Sequence, residues 1–201
     1  MRTARRPTGL AYRCNFVCVG RRERERAQRK ELIVQTTRDL AEAEGWAAVT
    51  TRRLAELIEF SQPVLYTHFA GKDAIIAVVA DRGFAQLAED LAQARAEWPD
   101  DPIRAVVGAY VGFATANPAV YDGMFGRGPQ FAPLDAPPAL ADAFAELRAT
   151  VTPYAGNLDP DVLAETLWAA LHGLVTLTRD GRMSEGRHKD HLAAIVALVR
   201  R

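Results

Sequence analysis

VTTRRLAELIEFSQPVLYTHFAGKDAII, residues 49–76, contains two short predicted helices with one tight turn between them. Thr50 or Thr51 can cap the first helix through its side-chain oxygen. Ser61 can cap the second, with Pro63 in the first turn, where a missing N–H costs little. The expected inward face of the first helix consists of Leu54, Leu57 and Ile58. This arrangement predicts a helix-turn-helix.

The second helix is too short and too polar on one side to lie inside a core. Leu65 and Phe69, four residues apart, can face inward and hold it. The side chains left facing outward are Gln62, Val64, Tyr66, Thr67 and His68. These groups can reach base edges and phosphates, although in isolation a solvated helix with a few polar residues is the commoner explanation of such a pattern. Basic residues upstream and Lys72 downstream favour nucleic-acid binding.

Helical periodicity extends in both directions from this segment. Upstream, the apolar face of a helix from Arg21 is predicted to be Leu32, Ile33, Thr36, Thr37, Leu40 and Ala41, and Gly45 ends it as a left-handed cap. Downstream, a long helix runs from Lys72 to about Trp98. Further helices are expected at 101–116, 118–126, 138–155, 160–179 and 186–200, with a loop at 126–138. No stretch alternates with period 2, so the predicted fold class is all-α.

Composition supports a domain organisation with a basic front and an acidic back. The 201 residues are 49% apolar and include only two cysteines, too few for a disulfide scaffold or a zinc site. The net charge is +8 over residues 1–30, +5 over residues 1–82 and −5 over the remainder. A nucleic-acid-binding front explains this asymmetry, and so does a basic disordered tail with no partner. No uncharged stretch is long enough for a membrane span, and a cytoplasmic location is expected.

Three segments follow from these patterns. Residues 1–20 have no helical period and are expected to form a flexible basic arm, since they lack the apolar run of a secretory signal and the serines of a transit peptide. Residues 21–70 are predicted to form the helix-turn-helix domain. Residues 71–201 are predicted to form helices that bind an effector and dimerise.

No enzymatic chemistry is indicated. The sequence contains no Gly-rich phosphate loop, no Ser/His/Asp arrangement of recognisable spacing and no carboxylate pair in an expected cleft. His188 and His191 are three residues apart, which is far more often a chance pair than a metal site. No catalytic residue, no metal site and no cofactor are predicted.

Residues 50–55, 62–69 and 71–73, reading TTRRLA, QPVLYTHF and GKD, resemble the DNA-binding domain of TetR-family transcriptional regulators. The resemblance covers roughly residues 24–76 and is close to the tetracycline repressor subgroup. It implies that Arg52 reads a guanine and Gln62 an adenine, with Pro63 and Val64 against thymine methyl groups. The implied phosphate contacts are Thr51, Tyr66, His68 and Lys72. Arginine and glutamine fit the acceptor and donor patterns of those bases.

The turn between the two short helices departs from the family pattern. Gly followed by Val is usual there, whereas this chain has Glu59 and Phe60. If Glu59 adopts a positive φ, strain on the order of 1 kcal/mol or more is expected. The turn also places a negative charge near the DNA groove.

The segment LWAALHG, residues 167–173, resembles the Trp-His-Gly element of one subgroup of TetR-type effector domains. Trp168 and His172 lie four residues apart on one helix face, which fits a ligand contact and equally fits a core tryptophan beside a satisfied histidine. The predicted pocket residues are Phe84, Tyr110, Phe113, Met124, Phe125, Phe144, Trp168 and His172.

Apolar stripes on the last two helices suggest an interface, although an intramolecular core explains them as well. The predicted dimer-interface residues are Leu163, Leu167, Leu171, Leu174, Leu192, Ile195, Val196 and Val199. Dimerisation is favoured because one recognition helix reads too few bases, whereas two held about 34–36 Å apart read a palindrome.

The sequence therefore predicts a ligand-responsive, homodimeric DNA-binding regulator, most simply a repressor. Its expected partners are a double-stranded operator, a small apolar or amphipathic effector and a second copy of the chain, with no membrane. The alternative is a helical small-molecule or lipid-binding protein whose helix-turn-helix no longer functions.

Overall fold

The computed structural model describes residues 10–127 and 137–200, and in these residues it contains nine α-helices and no β-strand. The predicted all-α fold class is confirmed. The helices are α1 (Leu10–Glu44), α2 (Thr51–Leu57), α3 (Gln62–Tyr66), α4 (Lys72–Glu97), α5 (Pro102–Ala116), α6 (Pro118–Asp122), α7 (Pro138–Val151), α8 (Pro160–Arg179) and α9 (His188–Val199).

The first helix starts earlier than the sequence pattern suggests. α1 begins at Leu10 rather than near Arg21, so the second half of the predicted arm is helical. Extending an existing helix adds one hydrogen bond per residue without a new nucleation cost, and an apolar stripe is not required for it. Gly20 weakens a helix by roughly 1 kcal/mol but does not end it. Residues 1–9 of the predicted arm lie outside the described residues.

Two leucines predicted to face inward are exposed. Leu32 is 45% exposed and Leu57 is 51% exposed. In α2 the buried side consists of Leu54, Ala55 and Ile58. At 100° per residue, Leu57 lies about 110° from the centre of that side, so such a short helix leaves it in solvent.

The helix ends follow local chemistry. Gly45 has φ 79° and donates its N–H to the Ala41 carbonyl over 2.8 Å, the left-handed cap that was expected. The Thr50 hydroxyl accepts a hydrogen bond from the Arg53 N–H over 3.1 Å, which caps α2. Ser61 precedes α3 without a side-chain cap bond.

In the C-terminal part, the predicted helix 160–179 coincides with α8, two other helices end in non-α turns and one follows such a turn. α6 continues as a π-helical turn over Gly123–Arg127, α7 ends in a 3₁₀ turn over Thr152–Tyr154, and a 3₁₀ turn over Glu185–Arg187 precedes α9. Residues 128–136 of the predicted loop lie outside the described residues. Within the part described, no helix is long and apolar enough to cross a membrane.

The long helix α4 lies at the centre of the fold. It packs against α1 and α6 near its start and against α5 and α7 farther along. Its buried residues are Ile75, Ile76, Val79, Ala80, Gly83, Phe84, Leu87 and Leu91. α4 therefore joins the helix-turn-helix directly to the C-terminal core.

Candidate nucleic-acid interface and effector region

The outer side of α3 and its last turn is an accessible polar surface of the helix-turn-helix. Leu65 is fully buried and Phe69 is 5% exposed, so these two side chains hold the segment against the core as expected. The residues left accessible are Gln62, Pro63, Tyr66 and Thr67, which are exposed, and Val64 and His68, which are half-buried. The predicted base-reading positions of this segment are therefore available to a partner.

Arg52 and Thr51 lie at the start of α2. Arg52 is exposed, and its Nε lies 2.9 Å from a carboxylate oxygen of Glu56, one turn later. This hydrogen bond raises the pKa of Arg52. Thr51 is half-buried. An exposed pair within one helix contributes little, so the guanidinium can exchange Glu56 for a guanine at small cost.

A cationic groove lies between the start of α1 and the end of the α3 segment; we call it the α1–α3 groove. Its volume is about 400 Å³ and its lining residues are Arg22, Glu25, Arg26, Arg29, Thr67 and His68. In the part of the chain that the structure describes, no carboxylate pairs with Arg22, Arg26 or Arg29. Burial, together with the charges of Arg26, Arg29 and Lys30, lowers the pKa of His68. Such a groove suits a phosphate.

Lys72, the first residue of α4, is half-buried, and its ammonium donates to the Trp46 carbonyl oxygen over 2.7 Å. The ammonium group has three N–H donors, so this bond leaves two of them for another acceptor.

The turn between α2 and α3 contains a residue in the left-handed region. Glu59 is exposed and has φ 56°, the one non-glycine residue with positive φ among those described. For a residue with a Cβ this conformation costs roughly 1–2 kcal/mol. Glu59 thus adopts the positive φ that glycine usually supplies in this turn. The turn is therefore strained where glycine would not be.

The helix-turn-helix is bonded to the C-terminal helices through a contact that we call the α1–α6 junction. The Trp46 indole N–H donates to the Ala119 carbonyl over 2.7 Å. The Glu42 carboxylate accepts the N–H groups of Ala119 and Val120 over 3.0 and 2.9 Å. Because these N–H groups lie at the start of a helix, a carboxylate there is favourable. Sequence analysis missed this junction, although a tryptophan directly after a capping glycine is a usable signal.

The junction packs one edge of the tryptophan ring tightly against Gly123. A Cβ at Gly123 would lie 2.9 Å from Cζ2 of Trp46, closer than real side chains approach. On the other flank, Arg38 donates to the Asn117 side-chain oxygen over 2.7 Å. Movement of α6 therefore has a direct mechanical path to α1.

The predicted pocket residues form an aromatic cluster with little free volume. Phe84 and Phe125 meet edge to face at 5.3 Å between ring centroids, and Trp168 lies 5.9 Å from Phe125 and 6.5 Å from Phe144. The void among these rings is about 10 Å³, room for about one water molecule. Its lining residues are Phe84, Leu87, Tyr110, Phe125, Leu140, Ala143, Phe144, Leu147 and Trp168. The other predicted pocket residues, Phe113, Met124 and His172, do not line it.

A chain of hydrogen bonds crosses this cluster. The Trp168 indole N–H donates to the Tyr110 hydroxyl over 3.1 Å, the hydroxyls of Tyr110 and Tyr121 lie 3.0 Å apart, and the Tyr121 hydroxyl is 2.7 Å from Nδ1 of His172. Burial raises the pKa of Tyr110 to about 12, raises the pKa of Tyr121 and lowers the pKa of His172. Tyr121 was not predicted, although its position four residues before Phe125 in a predicted helix is a signal.

A larger cavity lies elsewhere, between α5, α8 and the start of α9; we call it the α5–α8–α9 cleft. Its volume is about 360 Å³, within the range of small-molecule sites. Its lining residues are Val111, Ala114, Thr115, Pro118, Leu174, Val175, Thr178, Arg179 and His188. None of the predicted pocket residues lines it.

The stripes proposed as a dimer interface lie inside the chain instead. The buried members are Leu167, Leu171, Leu174, Ile195, Val196 and Val199, while Leu163 and Leu192 are half-buried against the same core. Helical periodicity shows which side of a helix is covered but not by which chain, and here α5, α7 and the α8–α9 contact cover it. The exposed apolar side consists of Val162, Thr166, Ala169, Ala170 and Leu177 on α8 and Ala194 and Leu198 on α9.

Two family models match the chain. The model described as bacterial regulatory proteins, tetR family, matches residues 33–79, and the one described as tetracyclin repressor-like, C-terminal domain, matches residues 103–200. Together the two matches cover the last part of α1, α2, α3, the first eight residues of α4 and nearly all of α5 to α9, and they leave out the rest of α4.

Individual proteins are similar over smaller spans. An uncharacterized HTH-type transcriptional regulator of Bacillus subtilis (strain 168), YobS, is 32% identical over 94 residues, 46% of this chain and 49% of the relative. The tetracycline repressor protein class C of Escherichia coli is 38% identical over 52 residues, 26% of this chain and 24% of the repressor. The chain thus matches about half and a quarter of their lengths.

The fold is also that of a solved structure. A protein with unknown function from Rhodococcus sp. RHA1 superposes with a TM-score of 0.70 at 23% identity, covering 86% of this chain and 93% of the other. At that identity the likeness is one of fold.

Proposed function

Because the chain belongs to the TetR family of bacterial transcriptional regulators, we propose that it is a homodimeric repressor released from a palindromic operator by a small-molecule effector. The observation that carries the proposal is the accessible polar side of the α3 segment, held in place by buried Leu65 and Phe69. A helix that is anchored on one side and polar on the other can enter the major groove.

The proposed DNA contacts follow the family pattern at the matching positions. Arg52 would read a guanine and Gln62 an adenine, while Pro63 and Val64 would contact thymine methyl groups. The proposed phosphate contacts are Thr51, Tyr66, His68 and Lys72. The α1–α3 groove adds cations beside His68, which supports a further backbone phosphate at that place.

The domains keep the proposed division, with residues 21–70 on the DNA and residues 71–201 binding the effector and the second chain. The exposed side of α8, with Ala169 and Ala170 at its middle, supports close approach of a second copy because small residues let helix backbones come near. A twofold pair would set the spacing of the two α3 segments. The proposed location is the cytoplasm, where the operator is.

The effector is proposed to be a small apolar or amphipathic molecule that binds among the C-terminal helices. In the aromatic cluster the rings must separate to admit it, because the present void holds about one water. Phe84 on α4 and Phe125 beyond α6 line that void, so opening it would move both helices. An effector that prefers the moved state would lower operator affinity by shifting the population.

A second candidate function is a helical ligand-binding protein whose helix-turn-helix is inactive. The observation that favours it is Glu59, which adds strain and a negative charge to the turn next to α3. This candidate predicts only weak DNA association that ignores sequence.

One titration separates the two functions. Labelled DNA from the intergenic region of the protein's own locus and a scrambled duplex of equal length and composition are titrated with the protein at several salt concentrations. A repressor binds the first duplex about 10³-fold or more tightly than the second, since specific and non-specific affinities differ by at least that factor. Equal, steeply salt-dependent binding to both would support the second candidate.

A further inference from the structure

The α5–α8–α9 cleft is a gap in the core rather than part of the outer surface of α8. At 100° per residue, Leu174, Val175 and Thr178 share the side of α8 that carries buried Leu167 and Leu171. Ala169, at the exposed side of α8, lies about 160° from Leu167 around the helix and points away from the cleft, whereas Ala170 lies about 40° from Leu174, at the border of the two sides. A second copy centred on Ala169 would therefore leave the cleft uncovered.

One wall of the cleft is apolar. Val111 and Ala114 on α5 face Leu174 and Val175 on α8, and all four are at least nine-tenths buried. A ligand body that contacts this wall must be apolar, because burying an unpaired polar group against it is unfavourable.

Thr178 gives the cleft a polar group that has no partner. The hydroxyls of Thr37, Thr115, Thr150, Thr152, Thr166 and Thr176 each donate to the carbonyl four residues earlier. The buried Thr178 hydroxyl makes no hydrogen bond within the residues that the structure describes. Buried hydroxyls normally have a partner, so this oxygen is available to a ligand.

Arg179 and His188 complete the polar end. Arg179 is exposed and lines the cleft, and no carboxylate among the side chains that the structure describes forms an ion pair with it. His188, at the start of α9, lines the cleft from the other side. An unpaired guanidinium beside a free hydroxyl favours an anion, because charge-assisted hydrogen bonds to carboxylates are the stronger ones.

We propose that the α5–α8–α9 cleft binds a small molecule with an anionic head and an apolar body. The head lies at Arg179, Thr178 and His188, and the body lies along the apolar wall. A regulatory role for this site rests on the proposed function. Contacts between the cleft and the α1–α6 junction would connect a bound ligand to the helix-turn-helix. Pro118 lines the cleft, and the next residue, Ala119, accepts the Trp46 hydrogen bond of the α1–α6 junction.

The test uses octanoate and octanol, which share an apolar chain and differ in the charge of the head. Thermal unfolding of the full chain without DNA is followed at rising concentrations of each, and the dissociation constant is taken from the rise in midpoint, since a ligand of the folded state stabilises it by mass action. Octanoate is expected to bind at least about tenfold more tightly than octanol. Arg179→Gln is expected to reduce octanoate binding to the octanol level, while Arg182→Gln, an exposed arginine outside the cleft, leaves it unchanged.

Equal binding of octanoate and octanol would overturn the proposal, and so would unchanged octanoate binding by the Arg179→Gln protein. A change of oligomeric state in that variant would also overturn it, because the cleft would then be assigned to a second copy. Thr178→Val supplies an independent check, because it keeps the shape of the side chain and removes the hydroxyl; octanoate binding should weaken in it. Since no DNA is present, failure here leaves the proposed repressor function intact, and loss of operator binding leaves this site intact.

Discussion

The indole N–H of Trp46 is bonded to the carbonyl oxygen of Ala119 over 2.7 Å, joining the end of α1 to the first turn of α6 across 73 positions of sequence. The same first turn donates the N–H groups of Ala119 and Val120 to the Glu42 carboxylate. Besides their contact through α4, the helix-turn-helix and the C-terminal helices therefore also meet at α6, which contains the buried residues Val120 and Tyr121.

Trp46→Phe removes this hydrogen bond while keeping an aromatic ring in place. The free energy of unfolding is expected to fall by about 1–2 kcal/mol, because the bond is lost and the Ala119 carbonyl loses a partner. Chemical denaturation measures the change. Trp98→Phe is the control, since Trp98 is 64% exposed and should change stability very little. Equal effects of the two substitutions would show that the junction does not stabilise the fold.

Arg52→Ala tests base reading. The variant should lose about 1–3 kcal/mol of binding at the operator and almost none on random DNA, because the arginine fork reads a guanine edge. Fluorescence anisotropy with both duplexes measures this. Arg53→Ala is the neighbour control, since the Arg53 guanidinium pairs with Glu44 at 2.7 Å. A uniform loss on both duplexes would reassign Arg52 to the DNA backbone.

Lys72→Ala tests a phosphate contact. Binding to all DNA should weaken, and the slope of log affinity against log salt should fall by about one. Lys72→Arg should keep the parental slope, because the charge remains. An unchanged slope in the alanine variant would mean that the bond to the Trp46 carbonyl holds the ammonium away from DNA.

His68 is expected to make the proposed operator binding sensitive to pH. Burial and then Arg26, Arg29 and Lys30 lower the pKa of His68, so it is neutral in the free protein at pH 7. A phosphate beside it favours the charged imidazole and raises that pKa, so DNA binding takes up a proton and affinity should rise as pH falls from about 8 to 6.

The His68→Gln protein should lose that rise, whereas His188→Gln, a change far from the α3 segment, should retain it. Folding has the opposite dependence. Because the folded pKa is lowered, the contribution of His68 to stability is present above the unfolded value near 6.5 and is lost as pH falls. Affinities are therefore compared only where circular dichroism shows a folded protein. A flat parental profile would remove His68 from the DNA surface.

Ala170→Arg tests the exposed side of α8 as the dimer interface. A long charged side chain should separate two closely approaching helices, giving a monomer by sedimentation and loss of operator binding. Ala141→Arg, at an exposed position of α7, should remain dimeric. A dimeric Ala170→Arg protein would place the interface on another surface.

Local chemistry made the helix-turn-helix predictable. The Thr50 cap, the Gly45 cap, the inward Leu65 and Phe69 and the unusual conformation at Glu59 each depend on residues within one or two turns. Features of this kind can be predicted from the types and order of neighbouring residues.

The remaining features depend on distant parts of the chain and were missed for that reason. The Tyr121–His172 bond spans 51 positions, and the aromatic residues around it are equally compatible with a cavity and with a filled core. The leucine stripes of α8 gave the correct buried side but not the chain that buries it. Volume left between helices, as in the α5–α8–α9 cleft, has no signature in the periodicity of any single helix.

The π-helical turn at Gly123–Arg127 holds one residue more than an α-turn would. If the turn adopted α geometry, the extra residue would join the regular helix, and the residues after it would rotate by about 100° around the helix axis. The Phe125 ring would then leave its position between Phe84 and Trp168. Gly123, which lies against Trp46, would be the end of the turn that does not rotate. The π turn therefore offers a rotation of Phe125 that extends α6 instead of breaking it.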